Sequence, residues 1–172
     1  MADGGRRQAR ERALSLLYEA ESKEISAVAV LAQLPVDPDP FTVEVLCGVT
    51  EHLGELDRLI GDYARDWTID RMPALDRALL RMAVYELCHR PDVPTGAVIS
   101  EAVELAHRFS TDESGRFVNG MLARIAEAVR PSDPATGSQA EAVDAEAVGA
   151  EPAVDDESAS GQMVEHGLDQ EW

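Results

Sequence analysis

Apolar residues recur every three or four positions along most of this chain, which is the spacing of amphipathic helices. The first such stripe predicts a helix over residues 6–21, and a shorter one over 25–34 ends before Pro35. The first stripe consists of Ala13, Leu16, Leu17 and Ala20. No segment alternates apolar and polar residues with a period of two, so we expect no β-sheet.

The next helix has a clear predicted start. Asp39 can cap its first turn and Pro40 suits the first helical position. The apolar stripe that follows continues to Trp67 and is expected to break or bend near Gly54 or Gly61. We therefore predict one long helical region here, interrupted at a single point.

Three more helices follow. The segment 73–89 is apolar on most faces, which predicts a helix at the centre of the fold. A helix over 96–109 comes next, and Ser110 with Glu113 predicts a capping box for the last one, which Pro131 closes. The predicted fold is all-α, a compact bundle of about six to seven helices in two helical subdomains.

Charge divides the chain into a balanced body and an acidic tail. We predict a flexible segment at 1–5, one folded domain at 6–131 and a tail at 132–172. The tail carries 11 acidic residues and no Lys or Arg, whereas 1–131 carry 15 basic and 22 acidic residues. With few large apolar side chains, the tail cannot offset the entropy of ordering and is predicted to be disordered. It either keeps the protein in solution or competes with RNA for cationic side chains.

Several function classes find no support in the sequence. No apolar run reaches the roughly 20 residues of a membrane helix, and the first residues lack a secretory signal, so we expect a cytoplasmic protein with no membrane contact. Phosphate-loop, dinucleotide-binding and zinc-protease motifs are missing, so we predict neither an enzyme nor a cofactor. The histidines show no metal-ligand spacing and are expected at surfaces or helix ends: His52, His89, His107 and His166.

Arginines are concentrated at the start of the first predicted helix, at Arg6, Arg7, Arg10 and Arg12. At 100° per residue the first three fall in one sector beside the apolar stripe, whereas Arg12 points elsewhere. Guanidinium groups suit phosphate, and cations at a helix N-terminus oppose the helix dipole unless a polyanion relieves the conflict. The pattern favours RNA contact over a merely solvated helix start. This hypothesis requires that the guanidinium groups are not all held by carboxylates of the fold.

Four segments carry a resemblance to a known family. They occur in the order RRQARERALSLLY, LLRMAVYEL, PTGAVISEAVELAHRF and FVNGMLARI. Together they resemble the NusB family of bacterial transcription antitermination factors, over about residues 6–131. The acidic tail is similar to extensions on actinobacterial members.

The resemblance implies partners. Such factors bind the boxA element of ribosomal RNA leaders as single-stranded RNA, in a heterodimer with the ribosomal protein NusE. They join RNA polymerase together with NusA and NusG, and the family also allows a homodimer that hides the RNA face. Because the body is acidic, we expect the isolated chain to bind RNA only in the range of about 10⁻⁴–10⁻⁶ M. The alternative is a helical scaffold or homodimerisation module without direct RNA contact.

The resemblance also assigns RNA contacts near the first helix. Arg6, Arg7 and Arg10 match the arginine-rich start of the family's first helix. Tyr18 and Tyr63 match aromatic positions, where single-stranded RNA recognition favours stacking platforms. Packing within the fold is an equal alternative for both tyrosines.

Two further regions are implied by the resemblance. Arg116, Phe117 and Asn119 match a second RNA-contacting region, although Asn119 is as well suited to capping or bridging helices. Asp76 and Arg81 match a region near both NusE and RNA, with an intramolecular salt bridge as the alternative.

Overall fold

The computed structural model describes residues 3–64 and 68–131, and every regular element within these ranges is helical. This confirms the all-α prediction. The helices are α1 (Asp3–Ser22), α2 (Ala27–Leu31), α3 (Pro40–Glu51), α4 (Leu53–Tyr63), α5 (Ala74–His89), α6 (Thr95–Phe109) and α7 (Asp112–Val129), with a 3₁₀ turn at Ile69–Arg71. No helix in the described ranges is both long and apolar enough to cross a membrane. Trp67 and the tail predicted to be disordered lie outside the described residues.

The start of α3 agrees with the sequence prediction. The backbone N–H of Phe41 donates to Asp39 Oδ1 at 2.8 Å, and Pro40 occupies the first turn. The break in the long helical region falls at His52, which ends α3 and begins α4 two residues before Gly54. The predicted interruption is therefore confirmed close to one of the two expected glycines.

The start of α7 differs by one residue from the prediction. Thr111, rather than Ser110, accepts the hydrogen bond from the backbone N–H of Ser114, at 3.1 Å. The hydroxyl of Ser110 instead donates to Asp76 Oδ1 at 2.9 Å. A tertiary contact with α5 thus removes Ser110 from the capping position.

Helix α5 lies at the centre of the bundle, as its apolar pattern predicts. It contacts α1, α3, α4, α6 and α7, while α1, α2 and α3 contact one another and α6 pairs with α7. Full burial of each large aliphatic side chain contributes about 1.5–3 kcal/mol relative to exposure. The buried apolar residues of α5 include Ala78, Leu79, Leu80, Met82, Ala83, Val84 and Leu87.

Arg130 ties the end of α7 to the loop between α5 and α6. Its guanidinium donates to the backbone carbonyls of Glu86 and Leu87 near the end of α5, at 2.8 and 2.7 Å. It also donates to the carbonyls of Arg90 and Val93 in the loop, at 2.8 and 2.7 Å. The carbonyls of Glu86 and Arg90 also accept backbone N–H groups, from Arg90 and Val93. For Leu87, near the helix C-terminus, Arg130 supplies a donor that the helix lacks.

Candidate nucleic-acid interface

Arg10 lies inside the fold rather than on its surface. Its side chain is 5% exposed, and its Nε and Nη2 atoms donate to both carboxylate oxygens of Glu86 at 2.7–3.2 Å. Glu86 belongs to α5 and is 1% exposed. The expectation that Arg10 faces a partner beside Arg6 and Arg7 therefore needs correction. Its donors are used within the protein, because α5 packs against that side of α1 and brings a buried carboxylate to it.

Arg7 is also paired, but at the surface. It is 46% exposed, and its guanidinium donates to Glu101 and Glu104 of α6 at 2.5–3.2 Å. Exposed ion pairs contribute only about 0–1 kcal/mol, because water screens them and two long side chains must be ordered. Glu104 is 56% exposed and Glu101 only 13%, so the contact of Arg7 with Glu104 is the more accessible of the two.

Two other arginines lie near Arg7 on α1. Arg6 is half exposed, with its Nη2 atom 3.9 Å from Asp92 and its guanidinium 5.9 Å from the centre of the Phe41 ring. A hydrogen bond from Arg90 lowers the pKa of the Asp92 carboxyl, which stays ionised at neutral pH. Arg12 is exposed and has no ion-pair partner within residues 3–64 and 68–131. Arg6 and Arg12 are thus more exposed than Arg10, and neither makes the close hydrogen-bonded ion pair that Arg10 makes with Glu86.

An aromatic groove runs beside this surface. Tyr18 of α1 and Phe109 at the end of α6 are 44% and 42% exposed, and they line a groove with Leu14 and Leu75. The guanidinium of Arg108 lies 5.0 Å from the centre of the Phe109 ring. Bases of single-stranded RNA stack on such rings. Sequence reasoning gave Phe109 no role, because its position continues the apolar stripe of α6.

A second groove lies where α5 and α7 begin. It is lined by Pro73, Asp76, Ser110, Ser114 and Phe117, among others. It shares α5 and the end of α6 with the first groove, since Asp76 and Ser110 follow directly after Leu75 and Phe109 of the first. Phe117 is partly buried against the core, and it also lines this groove.

Asp76 is held within the protein. Its side chain is buried and accepts hydrogen bonds from the hydroxyls of Ser110 and Ser114, both at 2.9 Å. A carboxylate satisfied in this way is not presented to a partner. Asp76 thus fixes the start of α7 against α5, and its implied proximity to NusE stays a prediction.

Arg81 forms the intramolecular salt bridges that sequence analysis gave as the alternative. It donates to both oxygens of Asp57 at 2.7 and 2.8 Å and to Glu21 at 3.0 Å. Glu21 also accepts a hydrogen bond from Arg77, which raises the pKa of that guanidinium. This network links α1, α4 and α5.

The remaining predicted residues lie at two places. Arg116 is exposed on α7, and Asn119, one turn later, is partly buried. Tyr63 packs against the core and lines a separate depression with Arg124 and Ala128. That depression shares no lining residue with either groove. Exposed arginines and solvent-facing rings are the side chains that single-stranded RNA-binding proteins use to contact phosphates and bases.

Comparison with known proteins agrees with this class. A sequence profile described as the NusB family matches residues 7–127, so the chain belongs to the NusB family. Members of this family are non-enzymatic, RNA-binding factors in transcription antitermination. The membership confirms the resemblance and the prediction that the chain is not an enzyme.

Solved structures show the same fold. NusB of T. maritima is 33% identical, with a TM-score of 0.65, over 71% of this chain and 90% of its own. NusB of Aquifex aeolicus is 24% identical, with a TM-score of 0.63, over 74% and 90%. A chain in the crystal structure of the antitermination factors NusB and NusE with double-stranded RNA is 24% identical, with a TM-score of 0.62, over 74% and 99%.

Proposed function

We propose that this chain is an antitermination factor that binds boxA RNA of ribosomal RNA leader transcripts together with the ribosomal protein NusE. The heterodimer then acts on RNA polymerase with NusA and NusG. Membership of the NusB family supports this proposal, as does the similar chain from a complex of NusB, NusE and RNA. The observation that carries the RNA contact is that Arg6, Arg7 and Arg12 are exposed on α1, which also contributes Tyr18 to the groove with Phe109.

Electrostatics favours an anion at this face. Arg6 and Arg7 lie near the start of α1, where the positive end of the helix dipole disfavours them. A phosphate relieves that conflict and releases counterions from the RNA. Arg7 exchanges Glu101 and Glu104 for phosphate, while Arg10 keeps Glu86 and holds α1 on α5. In this proposal Arg10 orients the binding surface and does not touch RNA.

The grooves give the RNA a path. Bases stack on Tyr18 and Phe109, and the strand continues along the second groove past Phe117 towards Arg116 and Asn119 on α7. Tyr63 lies in a separate depression and is not part of this path. Arg81, like Asp76, supports the partner surface from within, because its donors are engaged by other helices.

Charge reversal at Arg7 tests the RNA contact. Arg7→Glu should weaken binding of a boxA-type RNA about tenfold or more and reduce the salt dependence of log K by roughly one phosphate contact. Fluorescence anisotropy at several salt concentrations measures both quantities. Arg58→Glu is the matched control, because Arg58 is an exposed arginine in an ion pair on α4. Equal weakening by both variants, or by neither, would favour a scaffold or homodimerisation module.

A substitution at Tyr18 shows whether the groove that it forms with Phe109 contacts RNA or the protein partner. Tyr18→Ala should reduce RNA affinity even without NusE, since stacking of one base contributes about 1–3 kcal/mol. Binding is measured with the chain alone and with NusE added. If the loss appears only in the presence of NusE, the groove belongs to the protein partner and the RNA path is limited to the arginines.

A further inference from the structure

Three side chains from two helix junctions converge at one point. His52 lies between α3 and α4, Glu55 in the first turn of α4, and His89 at the last position of α5. His52 Nδ1 is 3.3 Å from Glu55 Oε2, and His89 Nε2 is 3.8 Å from the same oxygen. One ligand atom from each residue lies within 4.8 Å of the other two. Two imidazoles and a carboxylate therefore lie within a few ångströms of one another.

His89 has an unsatisfied nitrogen near the other two side chains. Its Nε2 atom is buried and has no hydrogen-bond partner. Its ring stacks on His52, at 3.9 Å between centroids, and also contacts Tyr85, at 5.3 Å. A buried polar atom without a partner has lost its hydration without compensation, so it requires an explanation such as a bound ion. Stacking fixes where the ring lies but does not satisfy its nitrogen.

We propose that His52, Glu55 and His89 form a binding site for a divalent transition-metal ion such as Zn²⁺. Metal–nitrogen bonds of about 2.0–2.1 Å and metal–oxygen bonds of about 2.0–2.2 Å place tetrahedral ligands roughly 3.3 Å apart. The distances of 3.3 and 3.8 Å to Glu55 Oε2 are close to that spacing. The two imidazole rings are stacked, at 24° between their planes, so both rings must turn before their in-plane lone pairs meet at one ion. A ligand set of two imidazoles and one carboxylate suits Zn²⁺ and its neighbours rather than Mg²⁺ or Ca²⁺.

The surroundings are compatible with a cation. All three ligand side chains are partly exposed, so ions can enter and water can take a fourth position. Residues 1–131 have a net charge of −7, which favours cations near the protein. A bound ion would link the junction of α3 and α4 to the end of α5. It therefore stabilises the folded state by mass action.

Zinc titration of the full-length chain tests this site. The chain is first treated with a chelator, and binding is measured by isothermal titration calorimetry and by the shift in Tm. The wild type should bind one Zn²⁺ at the site formed by the three side chains, and Mg²⁺ should not compete for it. His52→Gln, Glu55→Gln and His89→Gln should each weaken binding at least about tenfold. The zinc-induced rise in Tm should disappear with them.

His107→Gln is the matched control. His107 Nδ1 lies 3.3 Å from Asp112, in a histidine–carboxylate pair that belongs to no three-ligand group within the described residues. This variant should bind Zn²⁺ within about twofold of the wild type, well short of the loss expected for a ligand. It also keeps the acidic tail, so any weak binding there is the same in every protein.

Three outcomes would overturn the proposal: no zinc binding, equal affinity in wild type and ligand variants, or equal competition by Mg²⁺. Circular dichroism of each variant shows whether it folds, and Glu55→Gln remains informative because its side chain is about half exposed. RNA binding by the variants is measured in parallel and should be unchanged. A failure of the metal site is therefore separate from a failure of the RNA proposal.

Discussion

Arg7 and Arg10 lie one turn apart on α1, and each donates to carboxylates of another helix. The Arg10–Glu86 pair is almost fully buried and joins α1 to α5, whereas Arg7 meets Glu101 and Glu104 at the surface. Removing one member of a buried pair leaves a desolvated charge, but an exposed pair is already screened by water. The same residue type is therefore structural at one position and available to a ligand at the next turn.

The largest expected difference concerns stability. Arg10→Ala should lower the free energy of unfolding by about 3–5 kcal/mol, because it leaves Glu86 buried without a partner. Arg7→Ala should cost less than about 1 kcal/mol. Urea denaturation followed by circular dichroism measures both. Similar losses for the two variants would contradict the division between a structural and a surface arginine.

A double substitution sharpens this result. Arg10→Met with Glu86→Leu removes both charges and keeps much of the side-chain volume, so it should recover most of the stability lost in Arg10→Ala. If Arg10 only orients the surface, the double variant should also bind RNA with nearly wild-type affinity. Weak RNA binding by this folded variant would return Arg10 to the list of direct contacts.

A smaller effect is expected from the carboxylates that hold Arg7. Glu101→Gln with Glu104→Gln removes the groups that compete with phosphate, so RNA affinity should rise by up to about fivefold, the equivalent of 1 kcal/mol. Anisotropy titration measures this change. Glu24→Gln with Glu127→Gln is the control, since it neutralises two exposed carboxylates elsewhere. An equal rise in the control would show that only net charge matters.

The smallest effect is expected from the acidic tail. If it competes for the exposed arginines, truncation after Pro131 should raise RNA affinity about twofold at low salt and have no effect at high salt. The gain should be absent in Arg7→Glu, because that variant lacks the shared binding group. Unchanged affinity of the truncated wild type at low salt would rule out competition.

Local signals in the sequence predicted most of the fold. Asp39 and Pro40 act on the backbone beside them, so the start of α3 could be placed closely. The start of α7 was placed one residue early, because Ser110 bonds to Asp76, 34 positions away. Such a contact depends on how helices pack and has no signature in the neighbouring residues.

The candidate site was less predictable for the same reason. The position of Arg10 on a helical wheel is beside the apolar stripe, and only the placement of α5 decides that Glu86 meets it. Phe109 continues an apolar pattern yet is substantially exposed, because α6 ends there. His52 and His89 are 37 positions apart in sequence, so their stacked rings could not be foreseen.

The clamp made by Arg130 connects the end of α7 to the start of α1 through one loop. Its guanidinium holds the carbonyl of Arg90, and Arg90 in turn holds Asp92, which lies 3.9 Å from Arg6. The loop after α5 is thus held by α7 on one side and faces Arg6 on the other. Displacement of Arg130 would therefore disturb the backbone beside an arginine of the proposed RNA surface.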